Sequence, residues 1–110
     1  MKLNSYINKL AQWINDDITE GVLGTGTTTP TSDDNGLENP DETTAKTVEK
    51  ELSGNTVKFT YTLYSTDGTY TITEFGLRNS SGEYINRDVF PEITKDGTMD
   101  LIIEKTFIIQ

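Results

Sequence analysis

Apolar residues recur at two different periods along the chain. Over residues 3–18, Leu3, Ile7, Leu10, Ile14 and Ile18 return at steps of three and four, with Tyr6 and Trp13 beside them. That spacing predicts one face of an α-helix. Asn4 or Ser5 offers a start cap, and Asp16, Asp17 and Gly21 mark its end, where the two carboxylates oppose the helix dipole. From Lys46 onward the period drops to two. Val57, Phe59, Tyr61 and Leu63 alternate with Lys58, Thr60 and Thr62, a half-buried strand. In TYTITEFGLRN (69–79), Tyr70 and Ile72 share one parity and Phe75 and Leu77 the other. The slip around Glu74 predicts a bulge, or a strand apolar on both faces.

Thr66-Asp67-Gly68, Ser80-Ser81-Gly82 and Lys95-Asp96-Gly97 read as turns. Between the last two, EYINRDVF (83–90) reads as a strand ended by Pro91. MDLIIEKTFIIQ (99–110) reads as the last strand, with Leu101, Ile103, Phe107 and Ile109 on one face and Ile102 and Ile108 on the other. Apolar residues on both sides predict a central strand, or an edge covered by a partner. The expected fold is mainly β, an antiparallel sandwich or barrel-like meander with one N-terminal helix. The expected organisation is a helix over 1–20, an extended Gly/Thr/Asp-rich connector over 21–45 strapped on the domain, and an antiparallel β domain over 46–110. Together they form one structural domain. Within the connector Val22, Leu23 and Leu37 are the large aliphatic residues, and some strand is expected around 21–24.

Charge narrows the function classes. Eighteen acidic residues against nine basic give a net charge of -9, which argues against a nucleic-acid partner and an anionic membrane surface. No apolar run approaches the ~18 residues of a membrane span, and MKLNSYINKLAQW is too polar for a signal peptide. The chain has no cysteine and no histidine, which removes thiolate chemistry, the commonest general base and the commonest transition-metal ligand. No enzyme activity and no cofactor are expected. Hydrophobic content of 33% is low for a self-sufficient fold, so added burial from a partner or from further copies is expected.

GTGTTTPTSDDNGL (24–37) has the look of a phosphate loop. It lacks the third glycine of a dinucleotide fingerprint and the GK[ST] of a P-loop, and no helix opens after it. A calcium-loop register places Asp33 and Asn35 at ligand positions, Gly36 at the sharp turn and Glu42 at the bidentate position. Thr31 stands where the first aspartate belongs, so a solvated acidic loop is expected instead. Glu74 and Arg87 are expected to form an internal ion pair. Tyr61, Tyr64, Tyr70 and Tyr84 are candidates for a carbohydrate platform, weighed against core and cross-strand roles. Leu3, Ile7, Leu10, Trp13 and Ile14 form a candidate interface, docking on a partner or a sister subunit.

The order of these motifs resembles a group of small virion proteins of tailed bacterial and archaeal viruses, found among tail, neck and fibre genes. The pattern is GTGTT-x-P, an acidic-polar stretch ending in leucine, E-[IF]-G-L, a glycine turn, an arginine before an aromatic-proline pair, and a hydrophobic last strand. Here it falls on Gly24, Gly26, Pro30 and Leu37, then Glu74, Gly76, Leu77, Gly82, Arg87, Phe90 and Pro91. The stretch SDDNGLENPDETT departs from it in being longer and more acidic. The resemblance implies a non-enzymatic structural protein of the virion, in the tail, neck, fibre attachment or capsid decoration. Its partners would be copies of itself, in a trimer or ring, and other virion proteins. In that reading 24–37 is a strap. Gly24 and Gly26 let its backbone approach the sheet closely or take positive φ, Leu37 plugs a gap, and Gly76 marks a bulge or close backbone approach. The alternatives are a carbohydrate- or receptor-binding sandwich using tyrosines near 64–70, and a calcium-dependent adhesion domain.

Overall fold

The computed structural model describes residues 3–110; the first two residues of the expected 1–20 segment lie outside the described residues. One helix, α1 (Asn4–Asp17), precedes seven strands: β1 (Ile18–Gly24), β2 (Pro40–Thr47), β3 (Glu49–Ser53), β4 (Thr56–Leu63), β5 (Tyr70–Asn79), β6 (Asp88–Lys95) and β7 (Leu101–Ile108). They form two antiparallel sheets, ordered β2-β1-β5-β6 and β3-β4-β7, which pack as a sandwich. The sequence-based expectation of a mainly β fold with one helix holds.

The core lies where alternation puts it. Val57, Phe59, Tyr61 and Leu63 of β4 are buried while the residues between them are half-exposed. They meet Ile18, Leu23, Ile72, Phe75 and Leu77 from the other sheet. Tyr61 and Phe75 close the two layers edge to face, with centroids 5.4 Å apart, a favoured aromatic geometry. The Tyr61 hydroxyl donates to the Thr44 carbonyl at 2.6 Å, so the ring is buried without stranding its polar tip. Burial pushes its acidity far out of the physiological range.

Several elements differ from the pattern reading. The stretch 21–45 is not one connector. It contains most of β1, which sits centrally between β2 and β5, and most of β2. β1 hides from alternation because Gly21 packs under Tyr61 and Phe75, where a Cβ would lie 2.6 Å and 2.9 Å from their rings. The strand expected over 83–90 begins at Asp88 and runs through Pro91 to Lys95. Proline is tolerated there because β6 is a sheet edge. The turn at Thr66-Asp67-Gly68 carries the chain from one sheet to the other, since β4 and β5 lie in different sheets. Of the two readings of the last strand, the edge is the one present: β7 is an edge strand, with Ile102 and Ile108 exposed on its outer side.

The slip at Glu74 is a register shift between Ile72 and Glu74 in the β5–β6 pairing. It leaves Phe75 and Leu77 facing the second sheet, and Glu74 and Gly76 facing outward. That outer face is roofed by residues 25–39, the loop joining β1 to β2. Here β5 is buried on both sides from Ile72 to Leu77.

Candidate functional site

The roofing loop is held by one carboxylate. Glu74 is fully buried. Its Oε2 accepts from the backbone amides of Gly26 and Asn39, each at 2.8 Å. Its Oε1 accepts from the Glu38 amide and from Arg87 Nε, each at 2.9 Å. Burial alone would push this carboxyl up. The Arg87 bond and the three amides outweigh that and hold it below the usual range. The expected ion pair is therefore present, as part of a four-donor clamp.

Arg87 extends the clamp. Its Nη1 donates to Asp34 Oδ2 at 3.1 Å. Its buried Nη2 has no hydrogen-bond acceptor among the described residues, with Glu38 3.8 Å away. Glu38 accepts from the amides of Thr27 and Thr28 and from the Thr28 hydroxyl, and these bonds lower its pKa. The amides of GTGTTT do cradle anions, and the anions are the protein's own carboxylates. Thr73 adds a hydroxyl bond to the Gly26 carbonyl at 2.7 Å.

The glycines are required for proximity. A Cβ on Gly24 or Gly26 would fall 2.5 Å or 2.6 Å from Glu74 Oε2. Neither has positive φ, so close approach is the operative half of the expectation. Gly76 likewise lies under Leu37 and Tyr84, at 2.9 Å and 2.7 Å from a built Cβ. Leu37 is the half-buried plug of the roof, and Pro30 stays exposed.

Sequence reading missed a second arginine. Arg78 of β5 donates Nε to Glu20 of β1 at 2.6 Å and both terminal nitrogens to Glu42 of β2, each at 2.8 Å. It ties three adjacent strands, and Tyr84 lies against its guanidinium. A signal existed in the single arginine between the apolar end of β5 and the turn. Its partners lie 58 and 36 residues away, beyond any local pattern.

Glu42 is thus committed to Arg78 and Arg87 holds Asp34. Of the three calcium candidates, Asn35 and Glu42 line one open cleft, and Asp33 is not among its lining residues. Among the described residues no cluster of three or more metal-ligating side chains forms. The four tyrosines do not share a face either. Tyr61 is core, Tyr84 packs against Gly36 and Gly76, and Tyr64 is exposed.

The five interface candidates split. Ile7 and Ile14 are half-buried and Ala11 fully buried, so this side of α1 docks on the sandwich. Leu3, Leu10 and Trp13 are 66%, 40% and 65% exposed, and Tyr6 joins them at 63%. At 100° per residue the apolar sector spans roughly 160°, and the domain covers about half of it. The expected single stripe of Leu3, Ile7, Leu10 and Ile14 is two stripes, one used and one open.

Comparisons with protein-family models, with curated proteins and with solved structures found no match. What the site can do therefore rests on its own geometry: a roof locked to a sheet, and an apolar helix face left open.

Proposed function

We propose that this protein is a non-enzymatic structural component of a tailed-virus particle, in the tail, neck, fibre-attachment or decoration apparatus, working by packing against copies of itself and other virion proteins. The observation that carries the assembly part is the open stripe Leu3, Tyr6, Leu10 and Trp13 on a helix otherwise docked to its own domain. Exposed apolar area in a contiguous row marks a contact surface. The viral part rests on the motif resemblance, to which the clamp gives physical sense. The quoted motif positions Gly24, Gly26, Leu37, Glu74, Gly76 and Arg87 meet in one locked roof, and a rigid surface suits repeated docking. The net charge of -9 keeps unassembled subunits apart.

The test is immunogold electron microscopy of tailed particles released by the organism that encodes the chain, with antibody raised against the purified protein. Label at one fixed position on intact particles is expected. Protein found in the cell lysate and missing from particles overturns the reading.

A further inference from the structure

We infer that the open face of α1 pairs with the same face of a second copy, the two helices running antiparallel about a two-fold axis near Asn8. The inference deepens the assembly reading above and rests on it for its biological setting.

Four observations converge. First, Leu3, Tyr6, Leu10 and Trp13 follow steps of three, four and three, the seam spacing of paired helices. Ile7 and Ile14 flank them on the side toward the domain. Second, antiparallel pairing about Asn8 sets Leu3 against the other copy's Trp13 and Tyr6 against its Leu10. Each layer then joins one aromatic to one leucine. Parallel pairing would stack Trp13 on Trp13 and Tyr6 on Tyr6. Third, a cleft of about 200 Å³ opens beside Trp13, walled by Ile14, Ile18, Tyr84 and Ile85, with Asp17, Asn79 and Glu83 at its polar side. It is a hole at the height where Leu3 of the second copy arrives as a knob.

The fourth observation is electrostatic. The N-cap position, Leu3, supplies no side-chain bond to the first turn, and that turn holds no acidic residue. The last turn holds no basic residue and ends in Asp16 and Asp17. The C-terminal end therefore opposes the dipole, and the N-terminal end lacks a favourable charge, in a single copy. In this register Asp16 and Asp17 of each helix lie just past the start of the other, on the side of its positive dipole end, and the dipoles run head to tail. Asp17 also accepts from Asn79 of its own domain. Lys9 of the two copies flanks the axis in solvent, where repulsion between mobile side chains is small.

At about 200 Å² per large side chain, the exposed parts come to roughly 470 Å² per copy. Doubled, this lies close to the ~1,000 Å² floor of specific interfaces, so the pair is weak and reversible. With net -9 on each copy, repulsion between the bodies falls as salt rises, and association tightens.

Sedimentation velocity of the full chain across a concentration series in 0.5 M salt tests this. The expected result is a reversible shift from one to two subunit masses, weakened at least tenfold by Leu10→Glu, with the circular dichroism of the dilute protein confirming its fold, and weakened likewise by Tyr6→Glu at a position 63% exposed. Orientation is read by mixing Leu3→Cys and Trp13→Cys proteins, made in a chain with no native cysteine, and oxidising. Antiparallel pairing gives predominantly the mixed disulfide, and parallel pairing the two homodisulfides. A single subunit mass up to millimolar concentration, a trimer, insensitivity to Leu10→Glu, or dominant homodisulfides would each overturn the inference. Particle labelling is read separately, so loss of this pair and loss of the virion reading are distinguishable.

Discussion

Replacing Glu74 by glutamine keeps the side chain's shape and removes its charge. The native carboxylate satisfies four donors, two at each oxygen. Glutamine has one oxygen, so its NH2 group must face two donors, whichever way the amide is turned. The Arg87 guanidinium also loses its buried counter-charge, Arg87 being 5% exposed. Breaking a buried pair in this way costs about 3–5 kcal/mol, a large part of the ~5–15 kcal/mol that holds a domain together. At ~4 °C per kcal/mol for a chain of this size, the melting temperature falls by roughly 12–20 °C. Urea titrations of the wild type, Glu74→Gln, Arg87→Met and the double variant close a thermodynamic cycle. The coupling between the two sites should be about 2 kcal/mol or more. A loss below ~1 kcal/mol for Glu74→Gln, or a coupling near zero, refutes the idea that this carboxylate locks the roof.

The clamp and the Arg78 cluster together set an acid limit. Glu74, Glu38, Glu42 and Asp34 all have folded pKa values below their ordinary ones. Their contribution is complete above the unfolded value, about 4.3 for glutamate, and is lost as pH falls through the folded values. Stability against urea should be flat from pH 7 to 5 and fall below that, less steeply in Glu74→Gln. Gly76→Ala should cost about 1–3 kcal/mol by crowding, since its methyl meets the Asn86 carbonyl at 2.9 Å as well as Tyr84 and Leu37; an unchanged urea midpoint would contradict the close approach. Tyr61→Phe should cost about 1–2 kcal/mol, because the buried Thr44 carbonyl loses the hydroxyl it accepts from; an unaltered midpoint would show that the bond contributes nothing net.

What could be read from the chain depended on how local the signal was. β4 alternates cleanly because it has one inner and one outer face, and α1 shows its period for the same reason. β7 alternates in burial, but the exposed Ile102 and Ile108 blur that alternation in the sequence. β1 and β5 defeat alternation because both of their faces are covered, one by the second sheet and one, in β5, by the roof. The Glu74–Arg87 pair was legible through the slip in parity. The three amides that complete the clamp were not, since backbone donors leave no mark in a sequence. Likewise the period of α1 located its apolar residues, and the share its own domain would leave open was decided by how Ala11 and Ile14 dock.

The place of β1 has a consequence for synthesis. β1 is made before both of its neighbours: β2 is complete at Thr47 and β5 only at Asn79. Loop closure over that span is slow. β1 therefore has β2 to pair with first, and its other edge stays open until the chain has been made through Asn79.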